Sequence, residues 1–336
     1  MYEPKYKTSI KLISNISEIA RLYGKLEGIK VPSTLMLNLE RDNLIQSSFS
    51  SNRIEGNPLT HLDVTNLLLS DRVPTNRAEK EVANYFGILK KLELLENTKI
   101  SVPLLLDLHS DLLEGVNNTI RGKIRDAEVI VGRRNENGQL IIKHNPPAHN
   151  PEKITALLNE LINWLGSDEH LPIIKAGIFH HRFVYIHPFE DGNGRVCRLV
   201  TALYLIQNDY RINKYFVLDD YYDIDRDLYS DKLHSADSGD ETEWLEYFTD
   251  GVKNSLKSVL AKLDNGVSKL SFDLRPSKKE FEVLEIIKRD KEMSSIDLAK
   301  QLGVSRQQAF NLLKALVDKG LLEQIGEKRA TYYRLK

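Results

Sequence analysis

His187, Asp191, Arg195 and Arg198 lie in one short stretch, HPFEDGNGRVCR, with Gly192, Asn193 and Gly194 between them. Each residue type has a chemical use. An imidazole takes a proton near neutral pH, which makes His187 the candidate general base. Glycines flanking an asparagine let consecutive backbone N–H groups converge at the start of the next helix, forming an anion-binding nest. Arg195 and Arg198 are three apart and share a helix face. Both are expected in the first turn, where a cation opposes the helix dipole and an acid would be the stabilising choice. An anionic ligand accounts for that inversion, because guanidinium groups read phosphate oxygens in a bidentate manner. Asp191, beside the nest, is the kind of carboxylate that holds Mg²⁺ next to a polyphosphate. The parts compose a nucleotide site: phosphates on residues 192–194, Arg195 and Arg198, metal on Asp191, and His187 deprotonating a hydroxyl that attacks phosphorus.

Such a stretch needs a rigid element on either side. Ala176, Ile178, Phe179 and Phe183 predict an incoming helix over 173–185, ended at His187 because the residue before proline disfavours helical geometry. Val196, Leu199, Val200, Leu203 and Tyr204 predict an outgoing one. Helical spacing also marks Leu62, Val64, Leu67 and Leu68, then Val82, Tyr85, Phe86 and Leu89, then Ile154, Leu157, Leu158, Leu161, Ile162 and Leu165. The exception is a β-branched pair of segments, 127–131 and 139–142, around Asn137-Gly138, which predicts a hairpin.

The motif matches, at every specified position, the signature HPFx(D/E)GNGRxxR, and the chain resembles the Fic family from about residue 35 to 259. The resemblance implies a mainly α fold: a Fic-type helical core with a β-hairpin flap that docks the substrate. It also implies transfer of AMP from ATP to a Ser, Thr or Tyr hydroxyl of a target protein, with release of pyrophosphate. His187 would then be the base and Asp191 the Mg²⁺ ligand. Gly192, Asn193, Gly194, Arg195 and Arg198 would hold phosphate. Val131, Gly132 and Arg133 on the flap, and Tyr229, Ser230 and Asp237 beyond the motif, fall where the family contacts nucleotide. The target hydroxyl would dock on the flap at 128–143.

Upstream, Leu44, Ile45, Ser48 and Ser51 suit a helix that Gly56-Asn57-Pro58 stops. Glu55 then sits at the helix C-terminus, where a carboxylate opposes the dipole and calls for an external cation. Ser51, Glu55 and Gly56 resemble the family's inhibitory motif, (S/T)xxxE(G/N). In that family the glutamate pairs with the second arginine of the signature, here Arg198, so ATP binds unproductively.

Charge divides the chain. Residues 275–336 carry 14 Lys/Arg against 9 Asp/Glu, a net of +5, which leaves −6 for the rest and hides both inside an overall −1. The seam falls at residues 272–277. The basic segment resembles a winged helix-turn-helix: a helix over 280–288, a Ser294 start, a turn at 302–305, then a recognition helix ended by Gly320. Strands at 321–325 and 332–335 would flank a wing. Arg306, Gln307, Gln308, Asn311 and Lys314 would face outward, suited to base edges and phosphates. DNA and a protein partner both remain open for this module. Three regions are expected: 1–99, helical with the inhibitory motif; 100–262, the catalytic core; and 275–336, the winged helix.

The single cysteine, Cys197, excludes an internal disulfide framework and a thiolate-rich zinc site. No apolar run approaches a membrane span and no signal peptide opens the chain, so a cytoplasmic setting without membrane contact is expected. His61, His109, His144, His149, His170 and His234 show no metal-ligand spacing along the chain, and His180 and His181 read as supporting groups. The acidic run 219–227 reads as a solvated loop. Competing activities are transfer of another phosphate-containing group, removal of AMP, and nucleotide sensing by a transcription regulator. A homodimer is left open.

Overall fold

The computed structural model describes residues 2–29, 33–70, 72–134, 140–167, 170–268, 278–318, 322–326 and 331–335. They form two compact units, 1–263 and 264–336.

The first unit is a helical assembly. In chain order it comprises α1 (Ile10–Gly28), α2 (Ser33–Ile54), α3 (His61–Leu69), α4 (Arg77–Lys91), α5 (Val102–Leu112), β1 (Val131–Arg134) and β2 (Leu140–His144). There follow α6 (Pro151–Leu165), α7 (Pro172–Ile186), α8 (Asn193–Gln207), α9 (Asp219–Ile224), α10 (Arg226–Ser235) and α11 (Thr242–Ser268), whose residues after 263 belong to the second unit. Helix starts are written into the sequence. Thr60 and Asp63 cap α3 reciprocally, Asn76 caps α4, and Asn150 caps α6, with Pro151 opening it. The motif's two helices, α7 and α8, form the centre. Nearly every side chain on both is buried, so neither shows a polar face. Phe179, Phe183, Phe189, Leu199, Leu203, Trp244 and Phe248 are fully buried around them.

β1 and β2 pair antiparallel, with Gly132 opposite Ile142 and a bulge between Val131 and Gly132. The hairpin is present, but its first strand is later than expected. Residues 127–130 are not strand, because the Ala127 carbonyl accepts from the Arg125 side chain at 2.7 Å instead of from a ladder. The Asn137-Gly138 turn lies outside the described residues.

The second unit contains α12 (Lys278–Asp290), α13 (Ser295–Leu302), α14 (Arg306–Asp318), β3 (Leu322–Ile325) and β4 (Tyr332–Leu335). The two strands pair antiparallel, and Met293 bridges to Tyr333. Val283, Ile287, Leu298, Leu313 and Leu316 form its own core. This is the winged-helix arrangement. The seam at 272–277, Gly320 and the wing residues 327–330 lie outside the described residues. No helix among the described residues is long and apolar enough to cross a membrane.

Candidate functional site

The site begins where α7 stops. His187 takes left-handed backbone geometry, φ 51°, a conformation that costs a non-glycine residue free energy and persists only when its surroundings impose it. Arg125 imposes it. This guanidinium is buried and donates to the carbonyls of His187 at 2.6 Å, Ala127 at 2.7 Å and Ala148 at 2.6 Å. Its backbone N–H also reaches the Pro188 carbonyl at 3.0 Å. A cation thus sits at the negative end of α7 and ties it to the base of the flap. The His187 ring is half-buried, and its Nδ1 lies 3.3 Å from the Val184 carbonyl. A carbonyl only accepts, so Nδ1 carries the hydrogen and Nε2 keeps a free lone pair. Burial pushes the imidazole down to about 4, which leaves it neutral at physiological pH.

The motif turn is stapled from both sides. The buried Asn193 side chain accepts from the Phe189 N–H at 2.9 Å and donates to the Phe189 carbonyl at 2.7 Å. It therefore holds the loop and leaves the anion to its neighbours. His109 on α5 stacks flat on Phe189, with centroids 3.8 Å apart. Its Nδ1 accepts from the Gly122 N–H at 3.0 Å, so Nε2 donates to the Asp191 carbonyl at 3.1 Å. Gly192, at φ 83°, supplies the left-handed turn into α8 without a side-chain cap. The opening N–H groups of α8 are thus offered to a ligand.

Arg195 is buried, and its Nη2 donates to Asp191 Oδ1 at 3.0 Å. Its Nε and Nη1 are buried without a hydrogen bond, although Nη1 lies 3.7 Å from Glu81 Oε1. Buried unsatisfied donors are costly, and on a guanidinium they point to an anion. Asp191 Oδ2 accepts from Arg77 at the start of α4, at 3.1 Å. Arg198 falls in the second turn of α8, one turn later than expected, because the helix begins at Asn193.

Arg198 and the brake residues meet. Arg198 is buried; its Nε donates to Ser51 Oγ at 2.7 Å, and its Nη2 donates to the Ser51 carbonyl at 2.9 Å and to Glu55 Oε1 at 2.7 Å. Glu55 follows the last turn of α2, and Gly56 takes φ 87°. The Glu55 carboxylate also rests on Gly194: a Cβ there would overlap its oxygen. A carboxylate therefore sits on the nest that the sequence suggested for phosphate.

The run 219–227 is not a solvated loop. It forms α9 and the start of α10, with Asp219 and Asp223 buried. Asp219 Oδ1 lies 3.4 Å from Arg198 Nε, and Oδ2 accepts from Ser47 Oγ at 2.5 Å. Asp223 pairs with Arg53 at 2.7 Å. The spacing of these acids carries no sign of their partners, which come from α2 and α8.

The residues beyond the motif are more dispersed. Val131 is half-buried and Gly132 exposed on β1, while the Arg133 side chain lies outside the described residues. Tyr229 is buried behind Arg198, stacked on Tyr222 with centroids 4.5 Å apart, and its hydroxyl meets His180 Nε2 at 2.8 Å. Ser230 is half-buried on α10. Asp237 directs both oxygens at imidazoles: Oδ1 to His181 at 3.0 Å, and Oδ2 to His144 at 2.8 Å and His234 at 3.1 Å.

Arg125, His109, Asp219 and Arg77 are the residues that sequence reasoning missed. An isolated arginine or histidine in a loop or amphipathic helix carries no signature, and only the pre-proline His187 hinted that something must hold its backbone. Replacing Arg125 by methionine leaves the carbonyls of His187, Ala127, Ala148 and Ile186 without this donor. It should destabilise the fold by about 3 kcal/mol. Urea unfolding measures this, and a loss within error would remove Arg125 from the account.

Comparison with known proteins places the chain by family and by fold. Residues 99–205 match the Fic/DOC family, and residues 272–330 match the MarR family. The chain is similar to the protein adenylyltransferase fic-1 of Caenorhabditis briggsae, at 26% identity over 210 residues, covering 60% of this chain and 38% of that one. It is similar to the protein adenylyltransferase Fic of Nematostella vectensis at 26% over 259 residues, covering 73% and 56%. The chain thus spans about two fifths to a little over half of the length of these relatives. In fold it is similar to a Fic family protein from Desulfovibrio desulfuricans G20, with a TM-score of 0.69 at 24% identity, over 100% of this chain and 98% of that one. It is also similar to Fic-1 from Caenorhabditis elegans, with a TM-score of 0.61 at 22% identity, over 76% and 72%.

Proposed function

From a chain that carries a Fic/DOC domain over residues 99–205 and a MarR-type domain over 272–330, we propose protein adenylyl transfer restrained by Glu55. AMP passes from ATP to a Ser, Thr or Tyr hydroxyl of a target protein. The hydroxyl oxygen forms a bond to the α-phosphorus, the bond from that phosphorus to the bridging oxygen breaks, and pyrophosphate leaves. His187 Nε2 takes the hydroxyl proton. The α8 N-terminus, Arg195 and Arg198 hold the phosphates and stabilise the charge that develops on them. The relatives' names support the reaction class, and the geometry of the motif supports the roles.

One observation carries the restraint: the Glu55 carboxylate lies on Gly194 and 2.7 Å from Arg198. An acid in a phosphate nest competes with the terminal phosphate for the same donors. ATP then sits with its α-phosphorus out of line with the incoming hydroxyl.

Asp191 fits Mg²⁺. It is the acid at the turn, its side chain is about one third exposed, and its exposed partner Arg77 forms the kind of ion pair that yields at little cost. Carboxylate oxygen suits a hydrated Mg²⁺, which would neutralise charge on the phosphates.

The deciding experiment incubates the wild-type chain and the Glu55→Gly variant with cell lysate and ATP labelled at either the α- or the γ-phosphate. Label from the α-position alone, resistant to protein precipitation, is the expected result. Label from the γ-position means kinase chemistry, and no protein label from either overturns the reading.

A second activity concerns the winged helix. The match to the MarR family and five exposed side chains on α14, Arg306, Gln307, Gln308, Asn311 and Lys314, favour duplex DNA. Gln308 is partly committed, since it forms a capping box with Ser305 and so supports the helix start. A gel shift at low and moderate salt should show affinity that falls as salt rises. Absence of binding at low salt leaves a protein-docking module.

A further inference from the structure

His144, His234 and Asp237 are far apart in sequence and converge in space. Asp237 lies in a short 3₁₀ turn after α10, His234 on α10, and His144 at the end of β2. One ligand atom from each falls within 4.8 Å of the others. His144 Nδ1 is 2.8 Å from Asp237 Oδ2, and His234 Nδ1 is 3.1 Å from that same oxygen. The two rings are nearly parallel, with centroids 5.5 Å apart.

The hydrogen-bond inventory makes the convergence informative. His144 Nε2 lies 2.7 Å from the Tyr185 carbonyl, which only accepts, so Nε2 carries a hydrogen. The Nδ1 lone pair of a neutral ring then points at a carboxylate oxygen, which only accepts as well. A cation must lie on that line, either a proton or a metal ion. The adjacent His181 ring bridges the other Asp237 oxygen and Glu241. One divalent ion would take a lone pair from His144 Nδ1, from the Nδ1 of a neutral His234 and from Asp237 Oδ2 at once. Donors held tetrahedrally about zinc stand about 3.3 Å apart, so small side-chain shifts complete the set.

We propose that His144, His234 and Asp237 form a site for one divalent transition-metal ion of the zinc class. Two imidazole nitrogens and one carboxylate suit zinc, whereas Mg²⁺ prefers oxygen ligands. The surroundings are those of a metal ligand set. The Tyr185 carbonyl fixes the His144 tautomer, and His181 holds the second oxygen of Asp237. The His144 side chain is 3% exposed, that of His234 11% and that of Asp237 20%. The ion ties the end of β2, at the base of the hairpin, to the corner after α10. It also explains why Asp237 faces imidazoles.

The test uses the full chain, purified without a histidine tag, stripped with chelator and given zinc chloride. After gel filtration, elemental mass spectrometry should find about one zinc per chain, retained in excess Mg²⁺. His234→Gln and Asp237→Asn should each weaken zinc binding by about tenfold or more while far-UV circular dichroism is unchanged. Zinc should also raise the melting temperature of the wild type and leave that of either variant unmoved. Zinc well below stoichiometric, or equal affinity in wild type and both folded variants, overturns the site. None of these readouts depends on AMP transfer.

Discussion

Replacing Glu55 by glycine should raise transfer of α-labelled AMP by about tenfold or more, which corresponds to a barrier lower by about 1.4 kcal/mol. The carboxylate now occupies two parts of the proposed phosphate site: the surface over Gly194 and the Arg198 guanidinium at 2.7 Å. Glycine removes it from both. The fold should survive, because Arg198 retains the Ser51 hydroxyl and carbonyl and the nearby Asp219. Moreover, the position just past a helix end tolerates glycine well. Glu55→Gln separates charge from bulk. It keeps the side chain over Gly194 but loses the ion pair, so its activity should lie between wild type and Glu55→Gly. Equal labelling by wild type and a folded Glu55→Gly protein would sink the restraint and leave the transfer reaction standing.

His187→Ala should lower transfer by about a hundredfold or more in the Glu55→Gly background, the usual scale of a lost general base. Nucleotide affinity should stay unchanged, since the phosphate donors are on α8. Full activity without His187 would end its role as base. The pH dependence follows from burial, which lowers the folded imidazole from 6.5 to about 4. The basic form survives as pH falls from neutrality and is lost only through the folded value near 4. The same shift links to stability. Between 6.5 and 4 the unfolded chain takes up a proton that the folded chain refuses. The stabilising contribution is therefore complete above 6.5 and is lost as pH falls toward 4. Urea unfolding across that window should show a smaller acid loss in His187→Ala than in wild type.

The motif was legible in sequence because its geometry is local. The proline after His187 ends α7, glycines turn the chain, and α8 begins within six residues. The periodic helices α3, α4 and α6 were legible for a similar reason, since one apolar face repeats along each. The flap was legible in kind but not in register. Arg125, one of several charges at 121–128, takes the Ala127 carbonyl and delays the first strand. The acidic run misled because burial depends on partners that sequence spacing does not name: Asp219 finds Ser47 and Arg198, and Asp223 finds Arg53.

The sequence alone determined which chemistry is present. Residue types and spacings in HPFEDGNGRVCR specify a proton acceptor, an anion nest and two guanidinium groups, all within a few turns of chain. The charge split likewise marked the separate basic module. Tertiary structure decided how that chemistry is held and occupied. It brought Glu55 to Arg198 across 143 positions, set Arg125 under His187 across 62, and gathered His144 with Asp237. Those pairings follow from helix packing, which selects neighbours by shape and burial and leaves no periodic trace along the chain.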